Sequence, residues 1–172
     1  MNEAFYISAA TAVIATLLAI TRLNSVHALL YFIVSLLAVS VIFFVLGAPF
    51  AAALEVIIYA GAIMVLFIFV VMMLNLGTQA IDQERSWLRP GIWIGPALLA
   101  LVLIAELIYL LFTNTGALSG MKPVGPKAVG IALFGPYVLG VELASILLMA
   151  GLVGAYHLGR RENIEEDSGG GS

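Results

Sequence analysis

Five long apolar segments dominate this sequence and limit what the chain can fold into. They lie at about 4–21, 28–48, 50–76, 91–113 and 131–158. A helix of about 20 residues crosses a hydrocarbon core of about 30 Å, so each segment is long enough to span a membrane. No segment alternates apolar and polar residues with a period of two, as the strands of a membrane barrel do. The sequence therefore predicts an all-α integral membrane protein with five transmembrane helices.

The composition agrees with a chain whose solvent is lipid. Hydrophobic residues make up 63% and charged residues 10%, whereas soluble domains are roughly 45–50% apolar and about 25% charged. The absence of cysteine excludes disulfides, iron–sulfur ligation and thiolate metal sites. The two histidines lie too far apart in sequence to indicate a metal site, and no basic patch indicates nucleic acid. No cofactor is therefore expected on this chain.

The Lys and Arg residues predict the orientation in the membrane, because cytoplasmic segments carry an excess of them. Five follow the first, third and fifth segments and two lie on the opposite side: Arg22, Arg85, Arg89, Arg160 and Arg161, against Lys122 and Lys127. The N-terminus is therefore expected outside and the C-terminus in the cytoplasm.

The links between segments predict the domain organisation. The polar stretch 77–90 is expected to be a cytoplasmic loop, and the Gly- and Pro-rich stretch 114–130 an irregular outer loop. Residues 1–160 are expected to form a single membrane domain. Residues 161–172 are charged and end in Ser-Gly-Gly-Gly-Ser, which is typical of a flexible tail.

Three carboxylates fall inside the predicted spans, at Glu55, Glu106 and Glu142. An ionised carboxylate near the bilayer centre costs at least ~2.5–3.5 kcal/mol, so each is expected to be neutral or to exchange a proton. Glu142 lies nearest to the middle of its helix, which favours a functional role over a buried structural hydrogen bond. For Glu55, a place on a proton path and simple contact with interfacial water remain equal alternatives. Glu106 is expected to be structural or interfacial, because nothing at helical spacing pairs with it.

The third segment is longer than a straight crossing requires, at about 40 Å for residues 50–76. Glu55 and Tyr59 are four residues apart and share a helix face, which would allow a polar pair. Gly61 follows near mid-span, where a glycine permits a bend or a π-bulge; a simple packing contact is the alternative. One residue of slip would rotate everything downstream by about 100°. The sequence thus raises the hypothesis of a switch that moves side chains into or out of a water path.

Four runs resemble one family: HALLYFIVSLLAVSVIFF (27–44), LEVIIYAGAIMVLFIFVVMMLNL (54–76), WIGPALL (93–99) and LFGPYVLGVELASILLMAGLVGAYHLGR (133–160). They are similar to the J subunits of bacterial proton-pumping NADH:quinone oxidoreductase, respiratory complex I, and to their mitochondrial counterpart, the sixth membrane subunit. The resemblance covers about residues 1–160, and the run 54–76 is the most specific part of it.

This resemblance implies a non-redox subunit of a bacterial inner-membrane complex, with a periplasmic N-terminus under the orientation above. It implies contacts with membrane subunits A, H, K and N, and FMN, iron–sulfur clusters and quinone held by other subunits. It also implies a π-bulge between Tyr59 and Phe69 that gates a water wire, and no catalytic site on this chain. The residues that match the family's motifs are Glu55, Tyr59, Gly61, Val65 and Glu142.

Two other functions remain open at the level of sequence. A structural spacer needs only packing faces, and the small residues Gly140, Ala144, Gly151 and Ala155 supply one on the fifth segment. An autonomous small transporter would need a repeated half or a substrate site at helix breaks, and neither is evident. The spacer predicts that neutral replacements such as Glu142→Gln leave proton pumping intact.

Overall fold

The computed structural model describes residues 2–22, 25–74, 90–113 and 123–160. The chain divides into two compact units, Met1–Gly125 and Pro126–Ser172, which are considered separately. Within the described residues, five helical segments are long and apolar enough to cross a membrane, as the sequence predicts. The predicted tail at 161–172 and all but the last residue of the predicted loop at 77–90 lie outside the described residues. The orientation and the single membrane domain at 1–160 stay predictions.

The described elements are almost all α-helices. In chain order they are α1 (Asn2–Thr21), α2 (Ser25–Val45), α3 (Pro49–Leu54), a π-helix (Glu55–Ile63), α4 (Met64–Leu74), α5 (Pro90–Thr113), α6 (Pro126–Leu133) and α7 (Val138–Gly159). The third span, Pro49–Leu74, consists of α3, the π-helix and α4 in direct succession. The all-α class and the π-helix within the third span are confirmed.

A glycine ends α2 earlier than the sequence suggested. The second segment was expected to reach residue 48, but α2 ends at Val45. Gly47 has a positive φ of 81°, a conformation that glycine adopts without a Cβ penalty. The Ala48 amide donates to the Phe43 carbonyl at 2.9 Å and the Gly47 amide to Phe44 at 3.1 Å, which is the pattern of a Schellman cap. Pro49 then begins α3 in the first helical turn, where its missing amide costs nothing.

The buried side chains of helix α1 are all small. Its described buried residues, called the α1 seam from here on, are Ala4, Ser8, Thr11, Ala15 and Ala19. Their spacing of three or four residues places them on one helix face. Small residues allow helix backbones to approach closely, and van der Waals packing is the main attraction between helices in lipid. The seam therefore explains why α1 lies so tightly against its neighbours.

The α1 seam runs antiparallel to both α2 and α5. At one end Ala4 packs with Val41 and Val45 of α2 and Leu110 of α5. Further along, Ala15 packs with Val34, Ala38 and Leu103. Residue numbers thus rise along α1 while they fall along the two partners, as expected for a bundle of short-linked helices.

In the second unit, the fifth segment is interrupted. It was expected to be one helix over 131–158, and residues 114–130 an irregular loop; instead α6 begins at Pro126, and a turn at 134–137 separates it from α7. Pro136 lacks an amide and disfavours helical geometry in the residue before it. At Gly135 a Cβ would lie 2.7 Å from the Ile131 carbonyl oxygen, so the turn needs glycine there.

Candidate functional site

The π-helix, called the π segment from here on, lies at the centre of the third span. It covers Glu55–Ile63, and Gly61 is next to the midpoint of Pro49–Leu74. Its flanking residues Leu54 and Met64 keep ordinary right-handed helical φ and ψ, so the helix changes register without breaking. Short π-helices of this kind are rare and occur frequently at functional sites.

The register change redirects a backbone hydrogen bond in the middle of the span. The Met64 amide donates to the carbonyls of Tyr59 and Gly61. In an α-helix the same amide would bond the carbonyl four residues back, at Ala60. The Ala60 carbonyl therefore lacks its regular helical partner, although Ala60 itself is buried, with 8% of its surface exposed. An acceptor without its regular partner at this depth is a natural place for a water molecule to bind.

Gly61 fits the π segment because a side chain there would meet the helix's own backbone. A Cβ built on Gly61 would lie 3.1 Å from the Val56 carbonyl oxygen, a distance that forces the neighbour to give way. Val56 is five residues back, and this is the separation that π-type hydrogen bonds join. Glycine also weakens an α-helix by roughly 1 kcal/mol relative to alanine. Both effects favour the π register at this residue.

A serine of α2 holds the beginning of the third span. The Ser40 hydroxyl donates to the Ala52 carbonyl at 2.9 Å, and both residues are buried. Ala52 lies three residues before the π segment and its carbonyl also accepts from the Glu55 amide. This contact fixes the helix just ahead of the register change, while Ala60 and Met64 are the next buried residues along the span.

The predicted site residues lie in or next to the π segment, although they do not all contact one another. Glu55 is its first residue and is half-buried, whereas Tyr59 and Val65 are exposed. The π segment starts four residues before the expected stretch and ends at Ile63, so Val65 belongs to α4. Among the described residues, no hydrogen bond joins Glu55 to Tyr59. A π turn holds more residues than an α turn, so positions four apart no longer stack as they do in an α-helix.

Glu142 belongs to the other unit. It is the fifth residue of α7, and within the described residues of that unit no hydrogen bond or ion pair engages its carboxylate. Its part in any proton path stays a prediction.

An apolar groove borders the start of the π segment. It has a volume of about 400 Å³ and is lined by side chains from α2, from the beginning of the third span and from α5. Ser40 and Val56 both line it. The groove is therefore next to the Ser40–Ala52 hydrogen bond and to the first turn of the π segment. Apart from the Ser40 hydroxyl its lining side chains are hydrocarbon, which suits a lipid-filled or helix-filled space better than a water path.

Sequence reasoning missed one polar contact within the first unit. The Ser8 hydroxyl donates to Glu106 Oε2 at 2.8 Å across the α1–α5 contact. Glu106 was expected to be structural or interfacial. It is buried, with 8% of its surface exposed, which favours the structural alternative. The partner lies 98 residues away in sequence, and spacing along one helix cannot reveal it. The seam pattern of α1, which places Ser8 between Ala4 and Thr11, is the signal that marks Ser8 as facing another helix.

Together these features define a polytopic α-helical membrane protein with a π-helix at mid-span and carboxylates inside its spans. Comparison with known proteins gives the family. Residues 15–158 match the family described as NADH-ubiquinone/plastoquinone oxidoreductase chain 6. The chain is 64% identical to the NADH-quinone oxidoreductase subunit J of Pseudomonas aeruginosa over 163 residues, 94% of this chain and 98% of that protein. It is 60% identical to subunit J of Escherichia coli K12 over 167 residues, 96% of this chain and 90% of that one.

A more distant relative gives the same result. The subunit J of Buchnera aphidicola from Schizaphis graminum is 50% identical over 162 residues, 94% of this chain and 99% of that protein. The chain therefore belongs to the chain 6 family of NADH-quinone oxidoreductase, in which these bacterial relatives are the J subunits. It is a multi-pass membrane subunit of that complex, and the resemblance stated from the sequence is confirmed.

Proposed function

We propose that this subunit helps couple quinone reduction to proton translocation by switching the third span between a π and an α register. The observation that carries the proposal is the hydrogen bonding of the Met64 amide, which donates to the carbonyls of Tyr59 and Gly61. The Ala60 carbonyl, to which this amide would donate in an α-helix, does not receive that bond. In the π register this carbonyl offers a water molecule an acceptor at mid-membrane. In the α register the Met64 amide occupies it, and side chains on one side of the slip rotate by about 100° relative to the other. Hydration of the path would change with the register.

The remaining site residues take roles that follow from their positions. Glu55, about 10 Å from the span's midpoint, is placed to hand a proton to or from the hydrated region. Tyr59 offers a hydroxyl on the exposed side of the π segment, and Val65 is the bulky side chain that rotates just beyond it. Glu142 in α7 is proposed as a further proton-exchanging carboxylate. Because all redox chemistry would occur elsewhere, this chain would act only through protons, water and helix register.

The proposed surroundings follow from the family and the charge pattern. We propose contacts with the membrane subunits A, H, K and N, and FMN, iron–sulfur clusters and quinone on other subunits of the complex. We place the N-terminus in the periplasm and the C-terminus in the cytoplasm of a bacterial inner membrane, because Arg22, Arg160 and Arg161 follow odd-numbered spans. The chain has no cysteine, so single cysteines near either end, labelled in intact cells with an impermeant maleimide, test the orientation directly.

The central experiment replaces Gly61 by valine in the assembled complex. The new side chain would press on the Val56 carbonyl in the π register. Valine also has a higher α-helix propensity than glycine, so we expect the α register to become more populated. A bias of about 1.4 kcal/mol changes the population ratio tenfold. We expect NADH-driven proton pumping and quinone reduction to fall several-fold, while electron transfer from NADH to a soluble artificial acceptor is unchanged.

A matched control introduces a valine one residue further along. Ala62 is exposed on the same segment, so Ala62→Val should leave pumping near that of the unaltered complex. If Gly61→Val and Val65→Gly both assembled with normal pumping and normal quinone reduction, the switch would be excluded and the structural spacer would take its place. Proton or solute transport by this chain alone in liposomes would instead favour the autonomous transporter, a function that its family membership does not support.

A further inference from the structure

A second carboxylate lies inside the first unit, away from the π segment. Glu106 of α5 accepts a hydrogen bond from Ser8 of α1, with 2.8 Å between Ser8 Oγ and Glu106 Oε2. Ser8 has no exposed surface and Glu106 has 8%. The other carboxylate oxygen, Oε1, is also buried and has no hydrogen-bond partner. The two oxygens of one carboxyl group thus have different surroundings.

Among the described residues, no positively charged side chain is paired with this carboxyl. Among the described residues of the first unit, the basic side chains are those of Arg22 and His27. Arg22 follows the far end of α1, about 21 Å along the helix from Ser8, and His27 begins the antiparallel α2 near that same end. The titratable groups nearest in sequence on the packed helices are Glu3 and Tyr6 on α1 and Tyr109 on α5, and all three are exposed. Within the described part of the first unit, an ionised Glu106 would therefore be a buried charge without a counterion, which is strongly unfavourable.

The distribution of hydrogen bonds indicates where a proton would sit. A neutral carboxylic acid has one O–H donor and keeps acceptor capacity on its other oxygen. Oε2 accepts a hydrogen bond from Ser8 and is therefore the carbonyl oxygen of the neutral acid. The proton then belongs on Oε1, whose O–H finds no acceptor among the described residues. A water molecule is the acceptor that would satisfy it. Glu106 lies about 10 Å before the end of α5, so the aqueous phase beyond Thr113 is close.

We propose that Glu106 and Ser8 form a proton-binding site between α1 and α5. In the resting protein Glu106 is a neutral carboxylic acid whose proton is on Oε1 and exchanges with water from the side of the α5 C-terminus. When the O–H bond breaks, the proton leaves as hydronium and its electron pair stays on the carboxylate, while the Ser8 hydroxyl goes on donating to Oε2. Ser8 is a positioning residue in this site. The site is independent of the π register and of the proposed switch.

Infrared difference spectroscopy on the purified complex tests this directly. Glu106→Gln keeps the size and neutrality of the side chain and should remove one band from the carbonyl-stretch region of protonated carboxylic acids. Ser8→Ala should shift the same band to higher frequency, because the carbonyl loses its hydrogen bond. In heavy water the band should move to lower frequency as the carboxyl deuterium replaces the proton.

The control is Ser35→Ala, which also removes a hydrogen bond from a buried hydroxyl to a neighbouring helix, at 3.2 Å to the Ala12 carbonyl, but leaves no carboxyl altered. It should leave the band in place. If Glu106→Gln removed no such band, Glu106 would be ionised and the proposal would be wrong. A band that disappears in Glu106→Gln but stays unshifted after long incubation in heavy water would also overturn it, because the carboxyl would then be a sealed structural group.

Discussion

The α1 seam and the π segment are built in opposite ways within the same unit. Along the seam, α1 is a regular helix whose small residues fit closely against α2 and α5, and Ser35 adds hydrogen bonds to Thr16 at 2.8 Å and to the Ala12 carbonyl at 3.2 Å. Over the most apolar 18 residues of each span, 11% of the residues are buried in the third span against 28% in α1. The helix there changes register at its centre.

This difference suggests a division of labour. A closely packed seam has one stable arrangement, because its backbones touch and every displacement opens a gap. A helix with a π segment has two hydrogen-bonding registers that use the same residues, and few buried contacts fix either one. We therefore expect changes in the seam to alter stability and assembly, and changes around the π segment to alter activity at nearly constant stability.

The largest expected effect comes from overpacking the seam at Ala15. This residue has no exposed surface and lies against Val34, Ala38 and Leu103. Ala15→Leu adds three carbon atoms where there is no room, and overpacking of this kind costs typically ~1–3 kcal/mol, or more where backbones must separate. We expect little assembled complex to be recovered from membranes, and a lower thermal midpoint for what is recovered. Ala10→Leu, on the exposed side of the same helix, is the control and should assemble normally. Normal assembly of both variants would show that the α1 seam is not closely packed at Ala15.

An intermediate effect is expected where α2 meets the beginning of α5. A Cβ at Gly95 would overlap the hydroxyl of Tyr31, a buried side chain whose ring also faces the Arg22 guanidinium at 5.3 Å. Gly95→Ala would normally strengthen a helix by roughly 1 kcal/mol. A loss of stability in this variant would therefore be due to the overlap with Tyr31. We expect a loss of about 1–2 kcal/mol, seen as a lower thermal midpoint of the complex.

The rescue of Gly95→Ala sharpens this prediction. Tyr31→Phe removes the overlapping hydroxyl, so the double variant should recover most of the lost stability, although the ring carbon at 3.0 Å still limits it. Equal midpoints for Gly95→Ala with and without Tyr31→Phe would show that the two side chains do not meet in the assembled protein.

Local patterns in the sequence predict the five spans and the special character of Gly61, because both depend on neighbouring residues. They do not predict the Ser8–Glu106 hydrogen bond, because helix packing brings together residues that no spacing connects. The two Gly-Pro pairs show a subtler limit. Gly95–Pro96 lies inside a continuous α5, whereas Gly135–Pro136 falls in the turn between α6 and α7. Proline in a membrane helix is tolerated when its surroundings satisfy the freed carbonyl, and those surroundings are tertiary.

The smallest expected effect compares two serines of α2 that hold different neighbours. Ser35 bonds α1 at the seam, and Ser40 bonds the Ala52 carbonyl just before the π segment. Hydrogen bonds between membrane helices contribute on average about 0.6 kcal/mol and at most about 1.7 kcal/mol. The Ala52 carbonyl also keeps the Glu55 amide when Ser40 is lost. Both alanine variants should therefore assemble, with thermal midpoints slightly below that of the unaltered complex.

Function should separate these two variants even though their stabilities are alike. Ser40→Ala frees the helix turn that precedes the register change, so the balance between the π and α registers shifts and the number of protons pumped per NADH oxidised should fall measurably. Ser35→Ala loosens only the seam, which has no second arrangement to populate, so its pumping ratio should stay unchanged. If Ser35→Ala lowered the pumping ratio as much as Ser40→Ala did, the α1 seam and the π segment would change conformation together. The switch would then belong to the whole bundle rather than to the π segment.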